Sequence, residues 1–469
     1  NSGEISNRSP RSTLKRAFGG SGGGSRNFTN LSIYAFGLSG VWTGVGAGIL
    51  PFKVLEALDA GRVEIIGYSL DKNGALGIIS LVGLVIAAVA QLAAGALSDR
   101  DSRPGKRLPY ILMGMFGLAV ITVLFGLATS FVMLLAAIVA MQLFGNIGQG
   151  PANALIVDHV PARQRGQAAG VLNLWRLLGA GLLTVIVLQF MSRYDAEDSP
   201  EWIWYSIALM VVVLIITTIW TVVKIKPPGG LFFPALRPSS KWHKLRTDES
   251  PLMSKVPKAP ISRSYLAFLV ALGFAIAAMS SMQIYALFFL QDVVGLKNPA
   301  DGADKLVVVI VVSAGLTVLP AGYLADRLGR TNLFILAGAA GITSSLLLLF
   351  VSSIGPVLAV GVVIGIAVGL FMTLTWAVAN DLVSNASAAR ELGYTSLATL
   401  GGAAAARLAG IGIDELNNVS ENLGYKAILI AVAVAFAIST IILTKITKKP
   451  EAYEIGSDLE PVTSVQAPD

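Results

Sequence analysis

Long apolar runs alternate with short polar, basic or Gly/Pro-rich breaks along most of this chain. A helix of about 20 apolar residues, rising about 1.5 Å per residue, crosses a hydrocarbon core of about 30 Å. Twelve such windows stand at 31–55, 74–97, 109–130, 131–155, 167–191, 202–225, 264–290, 305–325, 332–353, 355–380, 392–413 and 424–446. The pattern predicts an all-α integral membrane protein of twelve spans, of which 131–155 is the least regular because amides and glycines interrupt it. Residues 226–263 are Pro-rich and basic, and read as a linker between two six-helix bundles at 31–225 and 264–446. Residues 1–30 and 447–469 read as disordered tails. The first 27 residues contain no apolar stretch long enough for a cleavable secretion signal.

Composition agrees with this reading. Hydrophobic residues make up 54% of the 469, charged residues 13%, and mean hydropathy is +0.70, whereas soluble domains carry about a quarter charged residues. Of 35 Lys and Arg, 26 fall in the tails and even-numbered loops or at the span ends beside them, 7 in odd-numbered loops or at the span ends beside them, and 2 deep inside spans. Basic residues near span ends are retained in the cytoplasm. Both termini are therefore expected to be cytoplasmic, in a plasma-membrane protein. The net charge of +7 is then topological bias and attraction to anionic lipid rather than nucleic-acid binding. With no Cys and two His, disulfides, thiolate catalysis and Cys-based or multi-His metal centres are excluded. No catalytic triad or phosphate-binding loop is present, so neither an enzyme nor a cofactor is expected.

The halves repeat. GALSDRDSRPGKR at 95 is echoed by GYLADRLGR at 322, and ALIVDHVPARQRGQAAG at 154 by VANDLVSNASAARELG at 378. The first pair is offset by 227 residues and the second by 223, measured from Asp99 to Asp326 and from Asp158 to Asp381. Two matches at nearly one offset argue for duplicated bundles. The loop G-x-x-x-D-R, found after the second and again after the eighth span and followed by Gly105-Lys106-Arg107 in the first copy and Gly329-Arg330-Thr331 in the second, resembles the signature of the major facilitator superfamily. The expanded first copy, with the 149–170 region, is similar to the glycoside-pentoside-hexuronide and sucrose transporter branch. That resemblance implies a gating loop: Asp99, Arg100 and Arg107 pair across helices, while Gly95 and Gly105 allow close approach. Gly322, Asp326, Arg327 and Arg330 form a second copy, less basic because Thr331 and Asn332 follow. Asp158 and Arg165 join the gating candidates from the second repeated region.

Polar residues inside spans are the candidates for a solute site, because hydrocarbon penalises unpaired polar groups. Gln142, Asn146, Gln149 and Asn153 recur at four, three and four residues, on one helical face. Amides both donate and accept, which suits a hydroxyl-rich solute; helix-to-helix bonding is the alternative use. Thr373, Trp376 and Asn380 form a weaker counterpart, and Trp42, Thr43, Gln283 and Tyr285 add candidates from the first and seventh spans. Arg176 and Arg407 are the two basic residues away from the ends of spans, and each needs a partner or a wet cavity. Asn173 lies one turn from Arg176.

The combined expectation is a transporter of a small polar solute, sugar-like as first guess, working by alternating access. The alternatives are an efflux carrier of an amphipathic compound and a non-transporting assembly factor on the same fold. The expected partners are the solute, the bilayer and, as an open question, a coupling proton or sodium ion; a monomer is the expected state. Acids cluster at span ends, which favours facilitated diffusion, with Glu56 and Asp292 as reserve coupling groups.

Overall fold

The computed structural model describes residues 28–61, 63–65, 68–100, 107–160, 165–225, 262–382 and 388–448. Twelve long helical segments make up nearly all of it: α1 (Phe28–Asp59), α2 (Lys72–Arg100), α3 (Leu108–Gly126), α4 (Phe131–His159), α5 (165–191) and α6 (Glu201–Lys224) in the first half. The second half supplies α7 (263–292), α8 (Pro299–Leu328), α9 (Arg330–Phe350), α10 (Ile354–Leu382), α11 (Ala388–Val419) and α12 (Leu423–Lys448). Eleven are long and apolar enough to cross a membrane by composition; α8, with polar residues in its first turns, is the twelfth by length. An even number of crossings puts both ends of the helical body on one face, the terminal face; the other is the distal face.

The two halves are built alike. In the first, α2 packs on α4, α3 on α4 and α6 on α1 and α3; in the second, α8 packs on α10, α9 on α10 and α12 on α7 and α9. The halves meet through α2 against α11 and α5 against α8, two pairs exchanged by the same six-helix shift. α4 runs unbroken through Pro151, and its amides and glycines serve packing: a Cβ at Gly114 of α3 would lie 2.3 Å from the Gly148 nitrogen. Small residues thus permit close helix approach.

Three details depart from the apolar windows. A short antiparallel hairpin, β1 (Val63–Ile65) and β2 (Tyr68–Leu70), joins α1 to α2 on the distal face. α8 begins six residues before its window, at Pro299, with Asn298 as its N-cap. α11 continues to Val419 rather than ending near 413. On the same distal face, between α5 and α6, the backbone N–H groups of Asp198 and Glu197 donate to Asp195 and hold its carboxyl below the usual carboxylate range.

Candidate functional site

α1 and α5 each widen into a π-helical turn in glycine-rich sequence, GVGAGI at Gly44–Ile49 and GAGLL at Gly179–Leu183. Such turns free backbone carbonyls and recur at functional sites. Here they are stitched together: Thr43 Oγ1 donates to Ser39 O (2.9 Å), stands 3.2 Å from Ala180 O, and accepts from Thr184 Oγ1 at 2.7 Å. Facing them across the boundary between the halves, Tyr285 interrupts α7. Its hydroxyl reaches Arg407 O at 2.9 Å and Ala406 O at 3.0 Å.

Between these walls lies a cavity of about 340 Å³. α1 and α5 contribute Thr43, Ala47, Leu177, Ala180, Gly181 and Thr184; α7 contributes Met279, Ser281, Gln283 and Tyr285; and α8, α10 and α12 contribute chiefly Leu306, Ile310, Val311, Ile364, Val368, Tyr425 and Ile428. Among the described residues no charged side chain lines it. The hydroxyls of Thr184, Thr43, Tyr285 and Tyr425 already donate within the protein. Ser281 and Gln283 are the lining polar side chains with no hydrogen-bond partner among the described residues.

On the distal side of the cavity a polar network spans both halves. Lys72 of α2 pairs with Asp292 of α7 at 2.6 Å, and Asp292 also accepts from Tyr425 of α12 at 2.7 Å. Asn73 donates to Asp414 of α11 at 2.8 Å and to Tyr425 at 3.1 Å, and the Gly74 N–H reaches Asp414 at 2.5 Å. Below it, a Cβ at Gly77 would lie 2.2 Å from Arg407 O, so only glycine allows this approach of α2 to α11. A shallow distal depression of about 600 Å³, edged by Asp59, Asp71 and the network residues, opens above. Among the described residues no group of acids or histidines is arranged to hold a metal.

A family model described as the Major Facilitator Superfamily matches residues 31–406 and, overlapping, 301–465. The chain belongs to the Major Facilitator Superfamily. Solved superfamily-like structures cover nearly all of it. A bacterial homolog of the human lysosomal transporter Spinster, inward-facing and occupied, matches with a TM-score of 0.61 at 14% identity, over 93% of this chain and 97% of that one. The nucleoside transporter NupG matches at 0.62 and 13% identity, over 89% and 99%. A bacterial homologue of the iron transporter ferroportin, inward-facing, matches at 0.63 and 13%, over 90% and 97%. At such identities the likeness is one of fold. No curated protein matches the chain.

Within this superfamily frame, Gln283, Tyr285 and Thr43 reach the cavity, and Gln142, Asn146, Gln149 and Asn153 do not line it. Asn146 is buried and donates back to Gln142, to its carbonyl at 2.8 Å and its side chain at 3.1 Å. Asn153 accepts from Arg176 at 2.6 Å and from Tyr34 at 3.1 Å. Trp42 packs under Gly145, and Asn173 is exposed. Arg407 donates to Ser80 O of α2 at 3.1 Å and to Ala403 O at 2.8 Å, tying the halves together. Trp376 lies on α10, its side chain outside the described parts.

The motif loop is described in part. Gly95, Asp99 and Arg100 end α2, Arg165 begins α5, and Gly322 and Asp326 lie on the last turns of α8; their side chains, like Gly105 as a whole, lie outside the described residues. Arg107 and Asp158 come together: Nε to Oδ2 is 2.5 Å and Nη2 to Oδ1 3.3 Å, a forked pair joining the start of α3 to the end of α4. Arg327 is exposed and Arg330 half-buried, both bonded within the protein. Sequence reasoning missed Thr184, Ser281 and Asp414. Thr184 sits among apolar neighbours, Ser281 is one of a Ser-Ser pair with no distinguishing spacing, and Asp414 fell just past a window's end.

Proposed function

We propose that this superfamily member carries a small amphipathic organic solute, mostly apolar with one polar end, by exposing the central cavity to each face in turn. The observation that carries the reading is the wall: aliphatic and aromatic, uncharged, its hydroxyl hydrogens largely spent on the protein, with Ser281 and Gln283 left to orient a ligand. Pockets of this size and character bind drug-sized molecules by their apolar surface and a few placed polar groups. A sugar, the branch resemblance notwithstanding, would lose most of its hydration here without matching hydrogen bonds. The amide row that suggested a sugar is spent in part inside the first bundle. A non-transporting factor on this fold would have its centre filled by side chains, and this centre is open.

Coupling is proposed to be facilitated diffusion. Both reserve acids are engaged: Glu56 with Lys53 at 2.7 Å and with the Tyr194 hydroxyl, and Asp292 with Lys72 and Tyr425. The terminal face is proposed to be cytoplasmic, in the plasma membrane. Because the chain lacks cysteine, single cysteines at the exposed positions Asp198 and Lys445 should label from opposite sides of intact cells, Asp198→Cys from outside. Labelling of both from one side would contradict the topology.

A thermal-shift panel on the purified protein tests the solute class, because a ligand raises the melting temperature of the state it binds. Amphipathic aromatic compounds are expected to stabilise the protein at lower concentration than sugars or free amino acids. Stabilisation by sugars alone would return the reading to a hydroxyl-rich solute.

A further inference from the structure

Three arginines of the helical body differ in how their charge is met. Arg107 forks onto the Asp158 carboxylate, and Arg407 spends two donors on the carbonyls of Ser80 and Ala403. Arg176, well inside α5, donates to Asn153 Oδ1 at 2.6 Å and lies beside the Tyr34 hydroxyl, which donates to that same oxygen; both partners are neutral. A neutral amide leaves the positive charge standing, and among the described residues no carboxylate reaches it. A guanidinium has five N–H donors, and a charge at this depth requires compensation. Tyr34, itself 1% exposed, and Asn153 hold the group from one side.

Arg176 does not line the cavity itself but stands next to residues that do. Leu177 is its neighbour, and Ala180 stands one turn further along; both line the wall. In the other direction Asn173 and Gly170 are exposed, and a Cβ at Gly170 would meet nothing within 4 Å. The face of α5 that carries Leu177 and Ala180 therefore continues past Arg176 through exposed positions towards the terminal face.

We infer that the solute is an organic anion, whose carboxylate is taken by Arg176 in a forked pair while its apolar part occupies the cavity. The inference rests on the cavity being the solute site. It also explains why, among the described residues, no carboxylate meets this guanidinium beside the cavity: the negative charge arrives with the cargo.

The test uses the full-length protein in detergent and three probes of one shape: phenylbutyrate, its primary amide, and phenylbutanol. The acid should stabilise the wild type at a concentration about tenfold lower than the amide or alcohol. Arg176→Lys, which keeps the charge and loses the fork, should erase most of that preference while leaving the unliganded melting temperature unchanged; Arg176→Gln should erase all of it. Equal binding of acid, amide and alcohol, or an acid preference that survives Arg176→Gln, overturns the inference and leaves the amphipathic reading standing. If none of the three binds while sugars do, both readings fall.

Discussion

Gly77→Val should abolish transport without unfolding the protein. At this position a Cβ would stand 2.2 Å from Arg407 O, a backbone atom that cannot swing aside, so α2 and α11 must separate. Gly410 makes the reciprocal approach: a Cβ there would lie 2.3 Å from Asn73 O. Separation stretches the Asn73–Asp414 bond and the Gly74–Asp414 bond, leaving Asp414, 8% exposed, short of donors. Each bond is worth about 0.5–1.5 kcal/mol net, and more if a partner is left buried and unpaired. A combined loss of about 3 kcal/mol shifts a two-state equilibrium by more than a hundredfold. The distally closed state would then be scarcely populated, and a carrier that cannot close one side cannot complete its cycle. Flux should fall at least tenfold, and a cysteine at Ser281, in the cavity wall, should label faster from the distal side. Unchanged flux would mean that close approach of α2 and α11 is not part of the cycle.

Ala180→Phe should have a comparable effect on binding by another route. Ala180 stands where the α5 π-turn meets the cavity, and a phenyl ring there occupies much of a 340 Å³ space. Close-packed walls do not yield cheaply to added volume; overpacking costs about 1–3 kcal/mol when the neighbours must move. Here the ring has an empty space to enter, so the unliganded melting temperature should hold while stabilisation by amphipathic ligands disappears. Leu306→Trp, which fills the same cavity from α8, should act alike. Ligand stabilisation that persists in both variants would move the solute site elsewhere.

The architecture was legible because the bilayer imposes it: hydrocarbon admits little but long apolar helices, so their number and the repeated loop motifs stand out in the one-dimensional pattern. The site was legible only in part. The period of α4 correctly placed Gln142, Asn146, Gln149 and Asn153 on one face, but a period does not say which neighbour that face meets. Asn146 turned out to bond within its own helix, and Asn153 to bond Arg176. Conversely, Leu306, Ile310 and Ile364 line the cavity, and in sequence an apolar residue facing a cavity looks like one facing lipid. Asp414, with Glu415, Asn417 and Asn418, lowered the hydropathy of the eleventh window and hid the end of α11; the carboxylate is instead buried against Asn73 and Gly74. The hairpin at 63–70 was too short and too close to the spans to give a period of its own.

The most direct test of the central claim is flux into proteoliposomes of a labelled amphipathic compound chosen from the thermal-shift panel, with Ala180→Phe vesicles as the reference. The account predicts saturable, protein-dependent uptake that the unlabelled compound competes away and that Ala180→Phe lacks. Uptake equal in wild-type and Ala180→Phe vesicles, or saturable uptake of sugars with none of the amphipathic compound, would contradict it.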